Sequence, residues 1–199
     1  MWWARQRVLP ESWETGRLDG WQDRNSIATV TTNNPSDGSH AVEMNPSASN
    51  SESITREVQG LYPGGPEVRL DCATTSPGDA IFQMNYLQTP DASSQLSARY
   101  RRDDSQGDNF IDIRDYTGDS GNLVERVNVS MNANSGQYIS LGVQVTEGGN
   151  HTLTLYNPDG SVHATVGGSA PLSSGRHLLL YYRNPDSGGT GYVDNLRPM

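Results

Sequence analysis

Lysine is missing from this chain of 199 residues. All 14 basic side chains are therefore arginines, set against 23 aspartates and glutamates, and the formal net charge is −9 at pH 7. Such an acidic balance excludes nucleic-acid backbones and anionic membranes as expected partners, because both require a basic footprint. Cysteine occurs once, at Cys72, which rules out an intrachain disulfide framework. Its place in the run Val68-Arg69-Leu70-Asp71-Cys72-Ala73 predicts a buried thiol rather than a nucleophile. No apolar stretch approaches the roughly 20 residues that a membrane-spanning helix needs. The opening Met1-Trp2-Trp3-Ala4-Arg5-Gln6-Arg7 lacks the apolar segment of a secretion signal.

Helical periodicity is nearly absent too, and what replaces it is informative. Short runs alternate between apolar and polar residues and are punctuated by Gly, Pro, Asn, Asp and Ser, the pattern of half-buried strands. Strands are expected near 26–31, 39–45, 52–58, 66–73, 79–88, 94–102, 109–116, 122–131, 137–146, 151–157, 161–166, 176–183 and 190–197. Turns such as Pro35-Ser36-Asp37-Gly38 and Asn157-Pro158-Asp159-Gly160 place glycine where a positive φ is needed. Strands so numerous and evenly spaced predict an all-β fold, a two-sheet antiparallel β-sandwich of jelly-roll type. Hydrophobic residues make up 33% of the chain, enough for a lean core. Residues 11–199 read as one domain, with 1–10 as a separable arm or first strand.

Alternation also assigns faces, since successive side chains of a strand point to opposite sides. Ala80, Phe82, Met84 and Tyr86 share one side, as do Leu96, Ala98 and Tyr100, and Ile111 and Ile113. If these strands are neighbours, Gln83, Asn85, Arg99, Arg101, Asp112, Arg114 and Tyr116 line a common outer face. Arginines, amides and a tyrosine on one surface are the residue types that stack on sugar rings and bond their hydroxyls. The alternatives are a plainly solvated face or one that packs on another subunit.

Catalytic signatures are missing. Glycoside hydrolysis needs two carboxylates about 5 to 10 Å apart, and Asp112 and Asp115 fall on opposite faces by parity. Asp112 reads as part of a solvated acidic surface. His40, His151, His163 and His177 lack metal-ligand spacing and read as isolated surface or edge residues. No Gly-x-Ser-x-Gly elbow or phosphate loop is present. The expectation is a protein that is not an enzyme.

Two resemblances add to this reading. The lack of lysine beside an excess of aspartate is similar to the proteins of salt-accumulating archaea, in which acidic side chains keep a protein soluble when salt screens ordinary repulsion. The segment Glu11-Ser12-Trp13-Glu14-Thr15-Gly16, then Trp21, the Ser36-Asp37-Gly38-Ser39 turn, Gly107-Asp108-Asn109-Phe110, Leu153-Thr154-Leu155-Tyr156 and the closing Gly191-Tyr192-Val193-Asp194-Asn195-Leu196 resemble the concanavalin A-like lectin/glucanase jelly rolls, also called laminin-G-like. The resemblance implies carbohydrate binding. It also implies a structural Ca²⁺ held by Glu14, Asp37 and Asp194, whose hard oxygens suit that ion. The other reading of these residues is that Asp37 serves its own turn and Asp194 makes local hydrogen bonds.

A lectin-like module without a secretion signal implies another route to a surface, and a virus particle supplies one. The expected role is a structural, glycan-binding protein on the virion surface of a haloarchaeal virus, as a capsid turret, decoration or tail-fibre component that binds host surface glycans. Its expected partners are other virion proteins and further copies of itself. Trp2, Trp3, Arg5 and Arg7 are the expected docking residues, apolar anchors beside cations. The alternatives are a secreted, extracellular carbohydrate-binding module of a haloarchaeon and, behind it, a glycoside hydrolase.

Overall fold

The computed structural model describes residues 12–23, 26, 28–46, 51–57, 63–75, 79–88, 95–102, 109–116, 121–130, 135–170, 177–183 and 189–199. The arm at 1–10, with Trp2, Trp3, Arg5 and Arg7, lies outside the described residues. Every regular element among them is a strand: β1 Gln22–Asp23, β2 Ala28–Thr31, β3 Ala41–Met44, β4 Ser51–Glu57, β5 Val68–Thr74, β6 Ala80–Gln88, β7 Gln95–Arg102, β8 Phe110–Asp115, β9 Asn122–Asn128, β10 Ile139–Val145, β11 Asn150–Tyr156, β12 Val162–Ser169, β13 His177–Arg183 and β14 Gly191–Pro198. Thirteen of these fall where alternation predicts them. The two-residue β1 does not, because so short a strand carries no periodicity to read.

The strands form two sheets of seven, ordered β1-β4-β13-β6-β7-β8-β9 and β12-β11-β10-β5-β14-β3-β2, with every pairing antiparallel. Each sheet contains one meander, β6 to β9 in the first and β10 to β12 in the second. β2 and β3 pair as neighbours within the second sheet, and the other connections, such as β4 to β5 and β13 to β14, cross from one sheet to the other. This is the jelly-roll β-sandwich expected from the sequence.

Alternation fills the space between the sheets. The first sheet contributes Ile54, Phe82, Met84, Tyr86, Leu96, Ala98, Tyr100, Ile111, Ile113, Leu180 and Tyr182 to the core. The second faces them with Val42, Met44, Leu70, Cys72, Leu141, Val143, Leu153, Leu155 and Val193. Cys72 is a free, fully buried thiol, and burial pushes its pKa upward, so it stays neutral and packs as a small apolar group. Phe82 and Tyr182 lie 4.9 Å apart between ring centroids, and the Tyr182 ring fills the space where a side chain at Gly191 would begin.

One core residue departs from expectation. His151 is completely buried, not an isolated surface or edge histidine. It follows the inward parity of Leu153 and Leu155 in β11, and its Nδ1 lies 3.2 Å from the Tyr86 hydroxyl of the opposite sheet. Tyr86 satisfies one polar atom of the imidazole inside the core, the condition on which a buried polar ring is tolerated.

Leu180, fully buried at the centre of the first sheet, tests this arrangement. Leu180→Ala is expected to lower the unfolding free energy by about 2–5 kcal/mol in chemical denaturation, whereas a change below about 0.5 kcal/mol contradicts the inward assignment of β13.

Candidate functional site

The outward side chains of the first sheet form rows across its strands. Register pairs Ser53 with Tyr181, Tyr181 with Gln83, Gln83 with Arg99, Arg99 with Asp112 and Asp112 with Arg126. A second row runs Thr55, Leu179, Asn85, Ser97 and Arg114. A third runs Arg183, Ile81, Arg101, Phe110 and Asn128. The sequence-derived face is thus one surface. Gln83, Asn85, Arg99, Arg101, Asp112 and Arg114 meet on it, and Tyr116 follows at the end of β8. Strands about 4.8 Å apart make the row from Tyr181 to Arg126 roughly 19 Å long.

Electrostatics organise this surface around Asp112. Its side chain is fully buried, which corrects the expectation of a solvated acid. Arg99 grips it with two hydrogen bonds, Nε to Oδ1 at 2.8 Å and Nη2 to Oδ2 at 2.7 Å. Arg126 Nη2 donates to Oδ2 at 2.9 Å and Arg114 Nε to the same oxygen at 3.2 Å. The arginines cover the carboxylate because each is a long side chain lying on a short neighbour across the ladder. Burial pushes the carboxyl up, but the bonds and charges of Arg99, Arg126 and Arg114 outweigh it and hold it below the usual carboxylate range. Burial likewise works against the Arg99 cation, and Asp112 more than restores it.

Further contacts fix the arginines in place. Arg114 Nη1 also donates to the Gly121 carbonyl at 3.1 Å. Arg126 lies over the Phe110 ring, 3.7 Å from its centroid, with Arg99 and Arg101 at 5.8 and 5.9 Å. Such cation–ring contacts orient a guanidinium plane. Arg101 forms a two-point pair with Asp79, at 3.2 and 2.9 Å. Beside them, Gln83 donates to Asn85 Oδ1 at 2.7 Å and to Ser97 Oγ at 3.2 Å, and Asn85 donates to Gln95 at 2.8 Å. The Tyr116 ring occupies the space beside Gly121 that a Cβ there would require.

The residues implied for calcium also converge, on the turn at 36–40, but as hydrogen-bond acceptors. The Glu14 carboxylate takes the backbone N–H groups of Ser39 and His40, each at 3.0 Å, and these bonds hold its pKa below the usual carboxylate range. Asp194 Oδ2 takes the Ser36 N–H at 2.9 Å and its hydroxyl at 3.0 Å, and Oδ1 takes the Asn195 N–H at 2.7 Å. Asp37 accepts from the Gly38 N–H at 2.8 Å. These oxygens point at N–H and O–H donors and so clasp the turn. Among the described residues no three His, Cys, Asp or Glu side chains gather as metal ligands.

Several residues of the face escaped sequence reasoning. Arg126 and Phe110 carried a signal, because Val127 and Ile111 point inward and their neighbours must point out. Tyr181 carried none, since it lies in the unbroken apolar run Leu178-Leu179-Leu180-Tyr181-Tyr182.

The overall arrangement has many counterparts among solved structures. The carbohydrate-binding module CBM66 from Bacillus subtilis superimposes with a TM-score of 0.61 at 13% identity, covering 89% of this chain and 93% of that one. The CBM2 module of the evolved Dit protein of Lactobacillus casei BL23 phage J-1 gives 0.64 at 10% identity, over 98% and 97%. A Bacillus licheniformis β-glucanase gives 0.59 at 14% identity, over 96% and 98%. The fold is a jelly-roll β-sandwich like that of these proteins. At these identities the likeness concerns architecture alone. No family model matches the chain, and no curated protein matches it by sequence.

Asp112 gives a pH-dependent prediction. Its folded-state pKa lies below the ordinary value of 3.8, so its contribution to stability is complete above that value and disappears as pH falls through the lowered one. Asp112→Asn is expected to lower the unfolding free energy by about 3 kcal/mol at pH 7. The gap to the parent protein should then close as pH falls below about 4. A gap that stays constant with pH contradicts the assignment.

Proposed function

We propose that this chain is a non-catalytic, glycan-binding structural protein whose sugar site is the outer face of the first sheet. The observation that carries the reading is the row Tyr181, Gln83, Arg99, Asp112 and Arg126. It offers a half-buried tyrosine ring, an amide and fixed guanidinium donors along one strip, the combination that stacks on sugar rings and bonds their hydroxyls. The carbohydrate-binding module CBM66 and the phage module CBM2, both similar in architecture, support a binding role.

Binding is favoured over catalysis by the state of the carboxylates. A glycosidase acid must hold its proton near neutral pH, which calls for a raised pKa. Asp112 is instead held ionised by three arginines, and Asp79 is engaged by Arg101. The β-glucanase neighbour supports the alternative of a glycoside hydrolase in fold only.

The proposed setting is the surface of a haloarchaeal virus particle, as a turret, capsid decoration or tail-fibre component that meets host glycans. The absence of lysine and the net charge of −9 support a high-salt environment. The phage origin of the Dit module agrees with a virion role. Contacts with other virion proteins and with further copies of the chain belong to the same proposal. A secreted carbohydrate-binding module is the alternative setting.

A glycan array read in multimolar salt tests the site, with Tyr181→Ala as the variant. Retention of a defined glycan set, weakened at least about tenfold by loss of the ring, is expected without release of reducing ends. Reducing-end release favours the hydrolase, and an array without retained glycans contradicts the proposal. Recovery of the chain with purified virus particles is the expected result for the setting; recovery only as free protein from the culture medium favours the secreted module.

A further inference from the structure

Counting charge on the outer face exposes a surplus. Arg99, Arg114 and Arg126 all bond the single carboxylate of Asp112, which leaves two positive charges uncompensated within that cluster. Arg101 stands beside it and, although paired with Asp79, is close enough to work against the charge of Arg99. This excess sits in a chain whose formal charge is −9. Asp112 Oδ2 already accepts from all three arginines, so it has little capacity for further donors.

The cluster is not sealed from solvent, although Arg126 Nε itself is buried and has no hydrogen-bond partner among the described residues. The guanidinium of Arg126 lies over the Phe110 ring, 3.7 Å from its centroid, and that of Arg114 is fixed between Asp112 and the Gly121 carbonyl. Both side chains remain partly open to solvent, Arg114 at 24% and Arg126 at 33%. Like charges held together with spare N–H groups are costly unless an anion joins them. Planar guanidiniums meet a two-oxygen anion through paired hydrogen bonds.

We propose that the Arg99, Arg114 and Arg126 cluster selects acidic glycans, binding the carboxylate or sulfate of one sugar while Tyr181, at the far end of the same row, receives a ring farther along the same glycan. The inference rests on the glycan-binding reading above and adds the class of ligand. Asp112 is a positioning residue here: it aims the arginines without touching the sugar. Two positive charges beyond those it neutralises are available for the incoming anion.

The test uses the full chain and four immobilised polymers: polygalacturonate, dextran sulfate, neutral dextran and poly-glutamate. Expected is retention on at least one acidic polysaccharide and on neither dextran nor poly-glutamate. Retention on polygalacturonate identifies carboxylate as the favoured group, and retention on dextran sulfate identifies sulfate. Arg126→Gln and Arg114→Gln should each weaken binding about tenfold. Arg126→Lys should recover only part of the loss, because it keeps the charge but not the planar fork. Arg69→Gln, on the opposite sheet, should leave binding unchanged. Thermal midpoints of the variants separate loss of binding from loss of fold, and Arg114→Gln stands in if Arg126→Gln does not fold. Equal binding of dextran, indifferent to both arginines, overturns the inference and leaves the glycan reading in place. Binding of poly-glutamate as strong as that of the acidic polysaccharides also overturns it. Failure to bind any polymer contradicts both readings.

Discussion

A single buried carboxylate sets the character of the outer face of the first sheet. Asp112 lies on the outward side of β8, where solvent would normally cover it, yet three arginines from β7, β8 and β9 close over it. An isolated carboxylate in such a place would take up a proton or draw in water. Here the arginines keep it ionised, and in return it holds three long, flexible side chains in fixed positions. The aromatic ring of Phe110 beneath Arg126 completes the support. A face that would otherwise carry mobile cations becomes a rigid set of donors, and rigidity lowers the entropy lost when a ligand is bound.

The opposite sheet uses charge differently. Glu67 takes two bonds from Arg69, at 2.8 and 3.0 Å, and accepts the Tyr156 hydroxyl, while the Arg69 guanidinium lies 3.6 Å from the Tyr156 ring centroid. Asp71 takes Arg197 at 3.0 Å and the Ser140 hydroxyl at 2.6 Å. In the Glu67 and Asp71 groups one arginine meets one carboxylate, so no surplus accumulates. Near the turn at 36–40, Glu14 and Asp194 serve as acceptors for backbone N–H groups. Glu14, Glu67, Asp71 and Asp194 thus each have a structural role, and among these charged groups the sharpest departure from balance is the Asp112 cluster.

The legibility of the sequence follows from these physical roles. Strands with one face in the core and one in solvent alternate visibly, so β6, β7 and β8 disclosed both their positions and their polar face. Gln83, Arg99, Asp112 and Arg114 could be grouped on parity alone. Parity could not show that Asp112 is buried, because burial there comes from arginines on neighbouring strands and depends on register. Tyr181 was hidden for the opposite reason: β13 is apolar on both sides, with Leu179 buried even on the outer face. His151 looked polar and therefore exposed, but its environment is decided by Tyr86 of the facing sheet. The calcium implied by family resemblance drew on residue types that do gather at one turn, where their oxygens accept backbone N–H groups.

The fold is thus readable from pattern, whereas the site emerges from contacts between strands distant in sequence. The most direct measurement of the account is NMR of the arginine Nε–H signals during titration with short galacturonate oligomers. The account predicts shifts concentrated at Arg99, Arg114 and Arg126, with Arg69 and Arg197 on the other sheet unmoved. Shifts centred on Arg69 and Arg197 instead, or none at the Asp112 cluster while the oligomer binds, would contradict it.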